Sequence, residues 1–221
     1  MLAAVTPQTK LLFICSPGNP TAKAIPLPVI EEVARSEEYK GLVVVDEAYV
    51  DFSTEGSAVS LVNKYPNVVV LQTLSKAFGL AGIRCGFCIA APDVIQLLNN
   101  VKAPYNVNKL TEEVAINALK TTKVLDENVE KILNQRKLVM AQLEKLDFVT
   151  EVFPSDANFV LFRMKDKALE TYKVMADSGV VTRFRGTEIH CENCIRVTIG
   201  TEEENAKFLK LLVETYQSLQ K

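Results

Sequence analysis

The sequence predicts an α/β chain: a three-layer α/β/α unit on a mostly parallel sheet, followed by a smaller C-terminal α+β unit. Two observations carry this. Up to residue 104, short β-branched runs that are apolar throughout, such as Val43-Val44-Val45 and Val68-Val69-Val70, alternate with helical stretches. Strands buried on both faces read that way, and parallel sheets are covered by helices on both sides. Beyond residue 105 the pattern changes to long amphipathic helices and then to a strand-rich tail closed by a helix.

The elements follow in order. Residues 11–15 read as a strand, 28–35 as a short helix after Pro-rich punctuation, and 42–46 as a fully apolar strand. A helix over 57–64, a strand over 68–72, a strand over 83–90 and a helix over 93–101 complete the first unit. Helical periodicity covers 110–120 and 124–146, the second with Val129, Ile132, Leu133, Met140, Leu143 and Leu146 near one stripe. The tail predicts strands at 149–153 and 158–164, a helix at 168–178, strands at 180–183 and 194–199, and a helix at 202–219. Thr201 followed by acidic residues marks the start of that last helix. The expected domains are 1–104, connecting helices over 105–146, and a small C-terminal domain over 147–221.

Composition narrows the function classes. A formal net charge of -2 leaves no basic footprint for nucleic acid. Apolar runs far shorter than the ~20 residues of a membrane span, and no basic leader, predict a cytoplasmic protein with no membrane partner. The pairs Cys85-x-x-Cys88 and Cys191-x-x-Cys194 lie too far apart for the usual four-ligand zinc spacing. Cys85 and Cys88 also point to opposite faces of a strand, so the thiols read as buried or loop cysteines and no metal is expected.

The chemistry falls just past strand ends. Ser16-Pro17-Gly18-Asn19-Pro20-Thr21 follows the first strand, Asp46-Glu47-Ala48-Tyr49 ends the second, Thr73-Leu74-Ser75-Lys76 follows the third, and Gly82-Ile83-Arg84 opens the fourth. Singly, each reads as a turn, a cap or a surface cation. In parallel α/β sheets, however, ligands bind outside the carboxyl ends of the strands. There a lysine whose amine is activated by its neighbours attacks carbonyls. A carboxylate keeps a pyridine nitrogen protonated, and an arginine with hydroxyls holds a phosphate. Lys76, Asp46, and Arg84 with Ser75 suit those three roles in a pyridoxal 5'-phosphate (PLP) site.

On these motifs the chain resembles the histidinol-phosphate aminotransferases of the fold-type I PLP-dependent family. The resemblance runs from about Leu11 to the C-terminus. It is carried by Ser16–Thr21, by Val43-Val44-Val45-Asp46-Glu47-Ala48-Tyr49-Val50-Asp51-Phe52, by the run from Gln72 to Arg84, and by Cys194-Ile195-Arg196-Val197-Thr198-Ile199-Gly200-Thr201. It implies Lys76 as the catalytic lysine that joins the cofactor covalently. It further implies Asn19 and Tyr49 on the cofactor's phenolic oxygen, Asp46 on its ring nitrogen, and Ser75, Arg84 and Thr73 on its phosphate. Arg196 is expected on the substrate's phosphate, with Arg183 as second member of that clamp and Arg185 as the open alternative.

The implied reaction is transamination of L-histidinol phosphate with 2-oxoglutarate, giving imidazole acetol phosphate and glutamate in histidine biosynthesis. The implied partners are small amine and keto-acid substrates, with a homodimer as the full-length assembly. One departure lies within a motif: Ala22 stands where the family usually has Gly. Family members also run longer at the N-terminus, so the expectation is a truncated chain, inactive by itself. The rival readings are an aromatic amino-acid aminotransferase, a threonine-phosphate decarboxylase, a non-catalytic interaction protein, and a P-loop ATPase fragment. The last is favoured only by the apolar run ending in Asp46-Glu47; no Gly-x4-Gly-Lys-Ser/Thr is present.

Overall fold

The computed structural model describes residues 1–220. The chain forms two compact units, residues 1–18 with 24–127 and residues 19–23 with 128–221.

The first unit is built on a four-stranded sheet in the order β1 (Leu11–Cys15), β2 (Leu42–Asp46), β3 (Val68–Thr73), β4 (Gly86–Ala90). β1, β2 and β3 run parallel; β4 is antiparallel to β3. The apolar runs behave as their composition requires: Val43, Val45, Val68 and Val70 are fully buried. They pack with Ile30 and Val33 of α1 (Leu27–Arg35) and with Leu61 and Val62 of α2 (Val59–Val62). Pro26 and Leu27-Pro28 start α1, where a missing N–H costs nothing. α3 (Pro92–Val101) and α4 (Lys109–Lys120) follow the sheet, and Asn108 caps α4 by accepting from the Thr111 N–H.

Two sequence expectations shift here. The fourth strand begins at Gly86 rather than Ile83, because Arg84 adopts φ 53° and a left-handed residue cannot continue an extended strand. It also turns back antiparallel, which an apolar run alone does not specify. Gly86 is needed where it stands: a Cβ there would lie 2.7 Å from the Gln72 carbonyl oxygen.

The second unit carries an antiparallel sheet in the order β5 (Val149–Val152), β6 (Phe159–Met164), β8 (Cys194–Thr198), β7 (Arg183–Phe184). Alternation along β6 and β8 sends Val160, Phe162, Ile195 and Val197 into a core with Val139 and Leu143 of α5 (Thr122–Leu143), Met175 of α6 (Ala168–Asp177), and Phe208 and Leu212 of α7 (Glu202–Leu219). Thr201 and Glu204 form the reciprocal capping box that starts α7. The strand expected over 180–183 is reduced to Arg183–Phe184. Gly179 at φ 81° closes α6, with Val180 N–H bonded back to the Met175 carbonyl, so residue 180 is still tied to the helix end.

Candidate functional site

In the first unit the parallel strands end together. Register pairs Cys15 of β1 with Asp46 of β2, and Asp46 with Leu71 of β3, so Asp46 and Thr73 stand at one carboxyl edge. The pairing of Thr73 with Gly86 brings the entry of β4, and Arg84 before it, to that same edge. Asp46 is half-buried; its Oδ1 accepts the Ala48 N–H at 3.1 Å, which bends the chain at the strand end and leaves Oδ2 for another donor. Burial first, and then the Asp46 carboxylate, pushes the neighbouring Cys15 thiol up from its ordinary pKa.

Lys76 sits in a loop whose shape is fixed from both sides. Leu74, 1 % exposed, and Ala77 anchor it in apolar surroundings, and Leu74 packs with Cys85 and Ala115. Leu74 N–H bonds the Cys85 carbonyl, and Gly79, at φ 69°, closes a turn onto the Lys76 carbonyl. The exposed Lys76 Nζ lies 5.3 Å from the centre of the Tyr49 ring. Thr73 Oγ1 donates to Ser75 Oγ at 2.9 Å and accepts the Ser75 N–H at 3.1 Å, so the two hydroxyls form one polar cluster. Arg84 is exposed and donates to the Ala81 carbonyl. Of the sequence-predicted residues, Asp46, Tyr49, Thr73, Ser75, Lys76 and Arg84 therefore belong to this unit.

Asn19, Arg183 and Arg196 belong to the second unit. Arg196 Nη1 donates to Asn19 Oδ1 at 2.7 Å, and its guanidinium lies 4.8 Å from the centre of the Phe159 ring. Arg183 on β7 is the direct cross-strand partner of Arg196 on β8, so both project from one face of the sheet. Arg185 is occupied differently: its Nη1 pairs with Glu188 at 2.9 Å. Arg183, rather than Arg185, is thus the direct cross-strand neighbour of Arg196. Ala22, the substituted position, has φ 62° and is fully buried. That left-handed backbone is the reason a glycine suits the position. Two hollows of the second unit, about 520 and 580 Å³, hold none of the predicted residues.

Comparison with known proteins fits this arrangement. The family model "Aminotransferase class I and II" matches residues 1–212.

The chain belongs to the class I and II aminotransferases.

A curated relative, the histidinol-phosphate aminotransferase of Cytophaga hutchinsonii, is 45% identical over 216 residues, covering 98% of this chain and 61% of the relative. Among solved structures, the histidinol-phosphate aminotransferase from Clostridium acetobutylicum matches with a TM-score of 0.86 at 29% identity, over 92% of this chain and 63% of that one. The enzyme from Sinorhizobium meliloti, crystallised in complex with pyridoxal-5'-phosphate, matches with a TM-score of 0.82 at 27% identity, over 95% and 58%. The chain spans about three-fifths of the length of the curated relatives it matches. The two aminotransferase units also carry residues that the sequence reading left without a role. These are Glu47 and Gln72 behind the strand ends, and Phe159 beneath Arg196.

Proposed function

We propose that this chain carries the lysine-bearing and anion-binding elements of a PLP-dependent histidinol-phosphate aminotransferase. The observation that carries the reading is the convergence at one sheet edge of an amine, a carboxylate, a phenol ring and a hydroxyl pair, drawn from the ends of β2 and β3. The donor set fits PLP: an amine for its aldehyde, an acid for its ring nitrogen, and hydroxyls with a guanidinium for its phosphate. When bound, PLP supplies an aldehyde that condenses with amines and a ring that takes up the electrons of a broken C–H bond.

The chain's own residues do the rest. Asp46 would keep the ring nitrogen protonated, and Tyr49, whose ring lies 5.3 Å from the Lys76 amine, would offer its hydroxyl to the cofactor's phenolic oxygen. Thr73, Ser75 and Arg84 would hold the cofactor's phosphate and so set its orientation. The Lys76 amine would serve as the base that takes the proton from the substrate's Cα and would return it two atoms further on, at the cofactor's aldehyde carbon. In the second unit, Arg183 and Arg196 clamp the phosphate of the substrate, and Asn19 orients the Arg196 guanidinium. Two like charges directly opposite on adjacent strands are unfavourable without an anion between them. That supports an anionic substrate group over an apolar or aromatic one.

The whole protein is read as a cytoplasmic homodimer. Among the described residues no helix is long and apolar enough to cross a membrane. Leu97, Val101 and Leu110 leave 67%, 80% and 76% of their surface exposed around α3 and α4, which suits a face covered by another subunit.

The test is a half-reaction. Loaded with PLP, the full-length parent should convert L-histidinol phosphate to imidazole acetol phosphate in one turnover and cycle with 2-oxoglutarate. Lys76→Ala should abolish cycling. A Lys76→Ala enzyme that cycles normally, or a parent that releases carbon dioxide from a phosphorylated amino acid instead, overturns the proposal.

A further inference from the structure

A carboxylate is rarely fully buried unless a cation pairs with it. Glu47 is 2 % exposed, and among the described residues no Lys or Arg lies against it. Its hydrogen-bond donors are instead neutral, and a second carboxyl, Asp51, lies near enough that burial first, and Glu47 after it, push the Asp51 carboxyl up from its ordinary pKa. The Ala58 N–H donates to Oε1 at 2.6 Å, the Ser57 hydroxyl to Oε2 at 2.6 Å, and Gln72 Nε2 to Oε2 at 2.8 Å. Gln72 Nε2 also lies 3.3 Å from Ser57 Oγ, which in turn accepts the Val59 N–H. The network therefore ties three segments together: the exit of β2, the start of α2, and β3.

An apolar side chain of similar size would fill the same space without the desolvation cost, so stability alone gives little reason for a charge here. The position of the network does. Glu47 follows Asp46 immediately, and Gln72 precedes Thr73 immediately. The ladder continues through Glu47, whose N–H bonds the Leu71 carbonyl. Alternation then sends Asp46 and Thr73 to one side and Glu47 and Gln72 to the other. The buried clasp thus lies directly behind the two groups assigned to opposite ends of one rigid ligand, the ring-nitrogen carboxylate and the phosphate hydroxyls. A fully satisfied buried polar network specifies geometry, because each bond is lost if either strand end slides.

We propose that Glu47, through Gln72 and Ser57, is a positioning residue that sets the spacing between Asp46 and the Thr73–Ser75 hydroxyl pair. The inference rests on the PLP reading above. It predicts that the clasp tunes cofactor affinity and the protonation of the bound ring, beyond any effect on folding.

The experiment compares wild type, Glu47→Gln, Gln72→Glu and the reciprocal double variant in three assays. These are PLP titration of the chain, pH titration of the bound cofactor's visible absorption, and urea unfolding without cofactor. Glu47→Gln sets donor against donor at Gln72, and Gln72→Glu sets carboxylate against carboxylate; the swap restores a matched pair. Each single variant should bind PLP at least about 10-fold more weakly, as expected for a lost hydrogen bond to a charged group. Each should also shift the midpoint of the absorption titration, and the swap should return both readouts to within about threefold of wild type. Ser57→Ala, which removes one donor and keeps the rest, should weaken PLP binding by about threefold and covers the case in which Glu47→Gln fails to fold. Variants that unfold more easily yet bind PLP with unchanged affinity and midpoint would show a purely structural clasp and overturn the inference. So would a folded swap that fails to recover. A wild-type chain that takes up PLP normally separates those outcomes from failure of the PLP reading itself. A wild-type chain, and a full-length parent, with no lysine-bound PLP overturn both.

Discussion

Replacing Arg196 with Gln removes one of two cations that face each other across β7 and β8. Cross-strand partners have Cβ atoms about 5 Å apart, and two unit charges held at that spacing would repel by about 1 kcal/mol in water and about 3 kcal/mol at an effective dielectric near 20. Arg196 offsets part of that through its 2.7 Å bond to Asn19 Oδ1 and its place over the Phe159 ring. Loss of the repulsion and loss of these contacts oppose one another, so Arg196→Gln should change unfolding free energy by no more than about 1 kcal/mol. Binding is another matter. A phosphate between the two guanidiniums turns repulsion into charge-assisted hydrogen bonds worth about 1.5 to 3 kcal/mol each. Affinity for the phosphorylated substrate should then fall by about 2 to 4 kcal/mol, or roughly 30- to 1,000-fold. Arg183→Gln should act in the same direction, while Arg185→Gln, which breaks the ion pair with Glu188, should cost no more than about threefold. Calorimetric titration of the phosphorylated substrate into the PLP-loaded parent, beside urea unfolding of each variant, reads all of these. An Arg196→Gln protein of unchanged affinity, or a larger effect at Arg185 than at Arg183, would refute the clamp.

Three further outcomes follow from the geometry. Burial pushes the Cys194 thiol up to about 11 from the ordinary 9.0. A raised acid favours the protonated folded state, so its stabilisation is complete below pH 9 and is lost as pH rises to 11. That loss amounts to about 2 to 3 kcal/mol; urea unfolding across this range should show the decline, and Cys194→Ala should flatten it. Leu143→Ala deletes a side chain with no exposed surface from the second unit's core and should cost about 3 to 5 kcal/mol by denaturant unfolding. Gly86→Ala places a Cβ 2.7 Å from the Gln72 carbonyl, and should cost about 1 to 3 kcal/mol while weakening PLP binding, because Thr73 pairs with residue 86.

What could be read from the sequence divides along physical lines. Val43–Val45 and Val68–Val70 announced buried strands because a strand covered on both faces has no polar side to hide. The capping box at Thr201 and Glu204 is written in four consecutive residues. The site residues were legible where chemistry and spacing are local, as in Thr73 to Lys76. Arg84 was placed at the opening of a strand, but its φ of 53° depends on the Leu80 and Ala81 turn, which no propensity reports. Ala22 stands out in the sequence as a residue in a glycine position, and its φ of 62° gives the physical reason. The sequence shows Glu47 only as the acid after Asp46, not its buried clasp, because its partners Ser57 and Gln72 are 10 and 25 residues away. The bond from Arg196 to Asn19 spans 177 residues. Both are products of tertiary structure, and neither leaves a periodic or motif-like trace.

The central claim is that Lys76 is the residue that takes PLP. The most direct measurement adds PLP to the protein, reduces with borohydride and maps the modified lysine by peptide mass. The account predicts a single phosphopyridoxyl group on Lys76, absent from Lys76→Ala. Selective labelling of any other lysine in the full-length parent, with Lys76 unmodified, would contradict it.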